Sequence, residues 1–144
     1  MGKHDSNNRM ESRGTNTAKQ YYTTELGSSS SITTYSAKVG LMYISDYGYA
    51  VSSENWNRGL ANYNNSTNDD NNWMYMGVTE WTISRRSNNT TNAFVVRYTG
   101  QVMNAGVNSS TAEYGGVRPS FYLESSVAYA GGTGTASDPI LITD

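Results

Sequence analysis

The chain has no cysteine, one histidine, two prolines and two phenylalanines in 144 residues. Without cysteine there are no disulfides and no thiolate metal sites, and chemistry on a sulfur nucleophile is excluded. The single imidazole, His4, lies in a polar N-terminal stretch and brings too few ligands for a metal site. Charge is scarce as well. Lys, Arg, Asp and Glu make up 15% of the residues, against about a quarter in ordinary domains, and the net charge is −2. The local basic cluster is the pair Arg85-Arg86, with no stripe to neutralise phosphates, so nucleic acid is not an expected partner. No apolar run approaches the roughly eighteen residues of a membrane helix, and no charged start leads into an apolar stretch. Neither membrane insertion nor a secretory leader is expected of this sequence.

Neutral hydrogen-bonding residues fill the gap. The chain is rich in Asn, Ser, Thr and Gly, and its 12% aromatic content is mostly tyrosine, with 12 Tyr against 3 Trp. Disordered chains are poor in aromatics. A loop-rich globular domain is expected, with an outer face able to hydrogen-bond and stack.

Residues 1–20 are polar and read as a mobile arm, leaving residues 21–144 as a single domain. YYTTEL at 21–26 predicts a short helical turn, stopped by Gly27. VGLMYI at 39–44 is apolar on both faces and predicts a central, buried strand. Ser45 or Asp46 then caps a short helix or turn. In the next helical stretch Trp56, Leu60 and Tyr63 recur at spacings of four and three, which points all three to the core. Residues 73–84 read as two strands, or one strand bent at Gly77. The strongest element is a hairpin: alternating residues 93–98, a Thr99-Gly100 turn, and a return over 101–104. Residues 117–123 form a strand in which Pro119 demands an edge or a bulge. Arg118, in this apolar setting, is expected to pair with a carboxylate or with loop carbonyls. A flexible connector at 131–138 leads to a closing strand at 139–142. The fold class is α+β, with short antiparallel strands, short helices and long polar loops.

The loops at 62–72, 85–92 and 104–114 are too polar to bury. Asp69-Asp70 offers oxygen ligands of the type calcium takes, but without the spacing of a calcium-binding hand. No cofactor is expected, with calcium at that loop as the candidate weighed. Glu80, Glu113 and Glu124 form no spaced acid/base pair, so an enzyme is not expected.

Several segments resemble a known family when taken in order. They are KVGLMYISDYGYA (38–50), NNWMY (71–75), EWTIS (80–84), YTGQV (98–102), GVRPSFYLES (116–125) and GTGTASDPILI (132–142). The set resembles the C-terminal half of a domain common in secreted and pilin-like surface proteins of Gram-positive gut bacteria. That family in turn resembles the C-type-lectin-like fold, in the branch with formylglycine-generating enzymes and the variable proteins of diversity-generating retroelements. The resemblance implies a small twisted antiparallel sheet displaying long loops, and an extracellular or cell-surface location. It also implies an upstream half and a pilin-type helix that this sequence lacks, so the chain is expected to be the C-terminal part of a larger domain. Family members carry a cysteine pair near the Trp-rich loop. Here Trp56 and Trp73 are expected to hold that loop by packing, and the cysteine-dependent oxidation chemistry of the enzyme branch is excluded.

The function expected is binding of a glycan or protein by loop residues on a rigid sheet. Trp73, Tyr75 and Tyr114 would supply aromatic faces, and Arg85, Arg86 and Arg97 would grip carboxylates. Asn88, Asn89, Asn104 and Asn108 would supply adaptable donors and acceptors. Asn, Tyr, Ser and Thr codons also arise readily by adenine mutagenesis, the signature of a diversified variable protein. The alternative is a pilin-like or surface-assembly subunit with no small-molecule ligand.

Overall fold

The structure is a computed structural model that describes residues 16–26, 37–64, 71–86, 89, 91–108 and 115–143. Its described residues form helices α1 (Ala18–Leu26) and α2 (Ile44–Tyr49), and 3₁₀ turns at Ser53–Asn55 and Leu60–Asn62. The strands are β1 (Gly40–Leu41), β2 (Glu80–Arg85), β3 (Asn92–Val96), β4 (Val102–Gly106), β5 (Pro119–Ser120), β6 (Ala128–Gly131) and β7 (Leu141–Thr143). They pair antiparallel as β1-β5, β2-β3-β4 and β6-β7. The class is α+β, as expected.

Helix α1 starts inside the stretch read as a mobile arm. Thr17 and Gln20 explain why: the Thr17 amide donates to Gln20 Oε1 at 2.8 Å and the Gln20 amide donates to Thr17 Oγ1 at 3.4 Å. This reciprocal pair is a capping box, which satisfies two orphan amides and fixes the helix start. Helix α2 has the same device in shorter form, with the Tyr43 amide donating to Asp46 Oδ2 at 2.9 Å. The helix begins earlier than expected, at Ile44 with Tyr43 as its N-cap, so Ser45 and Asp46 lie in its first turn and Asp46 acts from the third helical position.

The two helices meet at Gly48. A Cβ there would lie 2.8 Å from Ala18 Cβ and 3.0 Å from Leu60 Cδ2, so only glycine permits the contact. Around it is the core: Ala18, Tyr21, Met42, Ile44, Tyr47, Leu60, Tyr63, Phe94, Val96 and Val102, with Val51. Two of its tyrosines have bonded hydroxyls, Tyr47 Oη donating to the Gly100 carbonyl at 2.9 Å and Tyr63 Oη to the Gly48 carbonyl at 3.0 Å. A buried phenol needs that partner.

The expected β3–β4 hairpin forms, with Phe94 opposite Asn104 and Val96 opposite Val102, and Gly100 at φ +91° in the turn; the Arg97 amide donates to the Gln101 carbonyl at 2.8 Å, so the loop is one residue longer than the expected Thr99-Gly100 turn. Other expectations need correction. The predicted strand over 39–44 shrinks to Gly40–Leu41, because α2 already begins at Ile44. Residues 73–78 form turns, and the strand begins only at Glu80. Of the 117–123 strand only Pro119–Ser120 pairs, on β1, and it lies at a sheet edge as the proline required. The closing strand is Leu141–Thr143 and has an unpredicted partner, Ala128–Gly131. Between them 131–138 is an ordered turn: the Thr133 amide donates to Asp138 Oδ2 at 2.9 Å and the Asp138 amide to Thr135 Oγ1 at 3.1 Å. Trp56 is 40% exposed, because two 3₁₀ turns replace the continuous helix that would have aligned it with the buried Leu60 and Tyr63.

β2 inverts the usual pattern. Its polar residues Glu80, Thr82 and Ser84 are buried, while Trp81 and Ile83 are half-buried. Ser84 Oγ donates to Glu25 Oε1 at 2.5 Å, and the Ile44 amide donates to the same oxygen at 3.0 Å. The Ser45 amide reaches Glu25 Oε2 at 3.4 Å. One buried carboxylate therefore ties α1, α2 and β2 together.

Burial raises the Glu25 carboxyl above its ordinary 4.5, only partly opposed by the bonds from Ser45, Ser84 and Ile44. A raised carboxyl binds its proton more tightly in the folded state. Its contribution to stability is present below the ordinary value and is lost as pH rises through the folded value. The unfolding free energy of the wild type, minus that of Glu25→Gln, should therefore fall as pH rises above 4.5. A pH-independent difference in urea unfolding would contradict this. Glu25→Ala, which takes the acceptor from the Ser84 hydroxyl and the Ser45 amide while the Ile44 amide keeps Ser84 Oγ at 3.2 Å, should cost about 2–3 kcal/mol.

Candidate functional site

An open cleft of about 1670 Å³ runs between the helices and the C-terminal segment. Tyr22 comes from α1, and Tyr43, Asp46 and Tyr49 from the start and body of α2. Residues 39–42 and Ile83 contribute apolar surface, and Phe121, Tyr122 and Glu124 come from the stretch after β5. Trp73 and Arg85 also line it. The lining aromatics most open to solvent are Tyr122 at 85%, Trp73 at 78% and Phe121 at 64% exposure.

Sequence-distant elements build this cleft. The β1–β5 pairing brings Gly40 opposite Ser120 and so carries Phe121 and Tyr122 across to the helices. Arg118 anchors that segment. Its Nη2 donates to Glu80 Oε2 at 2.7 Å and to the Met74 carbonyl at 2.9 Å, and contacts Met42 Sδ at 3.4 Å. This is the carboxylate and loop-carbonyl pairing expected of it. Glu80 is held above its ordinary value by burial, which outweighs the opposing charge and hydrogen bond of Arg118.

The Trp-rich loop is held by Asn72, not by tryptophan packing. Asn72 Nδ2 donates to the Tyr47 carbonyl at 2.8 Å, its Oδ1 accepts from the Met74 amide at 3.0 Å, and the Trp73 amide bonds the Ala50 carbonyl at 3.2 Å. The backbone is fixed at both sides of Trp73 while the indole projects outward. The aromatic helix side is fixed too: Tyr22 meets Tyr49 edge-on at 6.2 Å, and Tyr49 meets Trp56 edge-on at 5.1 Å. Such pairs hold ring orientations without filling the cleft.

The residues expected to bind do not gather in one place. Trp73 and Arg85 line the cleft. Arg86 belongs to a different surface, where its Nη1 reaches Asn104 Oδ1 at 3.5 Å beside the Asn92 Nδ2 bond to the same oxygen at 2.8 Å. Tyr75 is turned to the hairpin, its hydroxyl donating to the Tyr98 carbonyl, and Arg97 lies 5.6 Å over the Tyr98 ring. Asn89 Oδ1 is occupied by the Thr91 amide and hydroxyl at 2.9 and 2.8 Å, a local turn. Asn108 is exposed at the end of β4. Asn88 and Tyr114 lie outside the described residues, as do His4, Glu113 and the Asp69-Asp70 pair. Among the described residues no three His, Cys, Asp or Glu side chains cluster to hold a metal.

Sequence reasoning missed Tyr22, Tyr43, Tyr49, Phe121 and Tyr122. The available signal was weak: apolar residues at 117 and 121–123 in a segment where proline limits burial. The cleft offers flat aromatic faces, phenol hydroxyls, two carboxylates at Asp46 and Glu124, and cations at Lys38 and Arg85. Those groups stack and hydrogen-bond. Compared with protein-family models, curated proteins and solved structures, the chain matches none of them.

Two outcomes test the geometry. Arg118→Met should cost about 2–3 kcal/mol in urea unfolding, below the value for a fully buried pair because Arg118 is partly exposed. Adding Glu80→Gln should recover part of that loss, and simple additivity would contradict the pairing. The Tyr122 phenol is raised, first by the charge of Asp46 and then by partial burial. Asp46→Asn should therefore bring its midpoint down toward 10.0 in a tyrosine-labelled NMR titration, and an unmoved midpoint would contradict their proximity.

Proposed function

We propose that the protein is a ligand-binding module of a bacterial cell surface, built on a C-type-lectin-like fold and without enzymatic activity. Its ligand is a glycan or a protein held against the aromatic cleft. The observation that carries this reading is the exposure of Trp73, Phe121 and Tyr122 together on anchored backbone. Large aromatics left in water around a concavity mark an interaction site. Rigid anchoring lowers the ordering cost on binding, so the same contacts give higher affinity. The Arg86, Asn89 and Asn104 surface becomes secondary, since its polar groups already bond one another or their neighbours. Codon-biased diversification of the loops remains part of the proposal, and a near-copy repeat beside the gene is the observation that would support it.

Glycan arrays and solid-phase binding to purified surface glycoproteins test the reading. The wild type should bind at least one ligand. Trp73→Ala and Tyr122→Ala should each weaken it about 10- to 30-fold, since truncating a central anchor costs about 2 kcal/mol. Arg86→Ala should stay within about threefold, as a peripheral charge does. Loss in Arg86→Ala with none in Trp73→Ala would move the site to the loops and overturn the cleft.

A further inference from the structure

One face of α2 sets a carboxylate among tyrosines. Ile44, Ser45, Tyr47 and Gly48 are buried, which leaves Tyr43, Asp46 and Tyr49, each three residues apart, half-buried along the cleft. Tyr22 of α1, 47% exposed, meets the Tyr49 ring edge-on at 6.2 Å and extends this row. Tyr122 joins it from the C-terminal segment, and its phenol is raised first by Asp46, then by partial burial, Tyr43, Glu25 and Tyr22. Asp46 uses Oδ2 to accept the Tyr43 amide, and among the described residues no cation lies within ion-pair distance of it. Lys38 and Arg85 also line the cleft, but from the strand side, before β1 and at the end of β2.

Such a face prefers a cation. A half-buried carboxylate without a counter-ion gains from one, and tyrosine rings beside it add a cation–π attraction. An anion would meet the Asp46 charge and the negative faces of the rings. The rest of the lining decides what carries the cation. Val39, Leu41, Met42, Ile83 and Phe121 give apolar surface. The chain is rich in Asn, Ser and Thr, yet among the described residues the neutral hydrogen-bonding side chains of the lining are the tyrosines, Trp73 and Ser120, with no Asn, Gln or Thr. Glycan hydroxyls pressed against that surface would lose water without gaining partners, whereas aliphatic side chains are favoured there. The cleft volume of about 1670 Å³ also exceeds the roughly 300–1,000 Å³ of a small-molecule pocket and suits a length of polypeptide.

We propose that the cleft binds a segment of a partner protein and seats an Arg or Lys side chain of that segment against Asp46, among Tyr22, Tyr43 and Tyr122. Apolar neighbours of the basic residue then cover Leu41, Met42 and Phe121. The proposal rests on the cleft being the binding site and, within that reading, selects protein over glycan.

A synthetic peptide array probed with the purified full chain tests it. Each peptide carries Arg, Lys, citrulline or Glu at its centre, with varied Leu, Ile, Val and Phe flanks. Arg and Lys peptides should bind at least tenfold more tightly than citrulline peptides of the same flanks, and Glu peptides should bind least. Citrulline keeps the shape of arginine and removes its charge, so this comparison needs no protein variant. Asp46→Asn keeps an oxygen for the Tyr43 amide and should bring Arg and citrulline peptides within about threefold of each other, a gap too small for a charge-assisted contact. Trp73→Ala should weaken all of them alike. Equal binding of citrulline peptides, a preference for Glu, or a preference for Arg that survives Asp46→Asn would each overturn the proposal. Glycan binding that is lost in Trp73→Ala, with no peptide bound, would overturn it and leave the cleft as the site. Binding of neither kind of ligand would overturn both. If Asp46→Asn fails to fold, the citrulline comparison decides.

Discussion

The inward-facing polar side of β2 is the constraint on which the rest of the structure depends. A strand that buries Glu80, Thr82 and Ser84 must give each a partner, because an unpaired buried polar group costs more than a hydrogen bond gains. Each partner comes from a different element. Ser84 reaches Glu25 and so fixes α1; Thr82 Oγ1 donates to the Phe94 carbonyl at 2.9 Å and fixes β3; Glu80 takes Arg118 and fixes the C-terminal segment. The hydrophobic core fills the space these bonds define. With so few charges in the chain, nearly all of this specification rests on neutral hydrogen bonds and two buried carboxylates.

The same constraint shapes the cleft. When β2 turns its polar residues inward, Ile83 is left on the other face and becomes cleft lining. Arg118, pulled toward Glu80, carries Pro119 and the two exposed aromatics after Ser120 into place beside α2. Asn72 and Asp46 do equivalent work at the other margins, one by pinning the Trp73 backbone and one by capping α2. The surface proposed for binding is a by-product of how buried polar groups are satisfied.

This explains what could be read from the residues alone. The β3–β4 hairpin was legible because its alternation and its Thr99-Gly100 turn carry the information locally. Arg118 was legible because a guanidinium in an apolar strand has few physical options. The Thr17–Gln20 capping box was present in the sequence but was hidden by the polar composition of its surroundings. β2 was recognised as a strand while its facing could not be read, since alternation alone assigns the apolar side to the core. The cleft was least legible of all. It depends on β1 and β5, each two residues long, which pair opposite halves of the chain and leave no periodic signal. Trp56 misled for a related reason, since a spacing of four and three points inward only if the helix is continuous.

The proposed binding function rests on exposure on a fixed scaffold more than on the polarity of loops. Asn89, Asn104 and Arg86, which looked available to a ligand, already serve Thr91, Asn92 and one another, whereas Trp73, Phe121 and Tyr122 at the cleft are left open. The most direct measurement is hydrogen–deuterium exchange of the protein free and saturated with the ligand that an array identifies. Protection should concentrate at residues 39–49, 72–74 and 119–123. Protection confined to residues 85–92 and 104–108, with the cleft segments unchanged, would contradict the account.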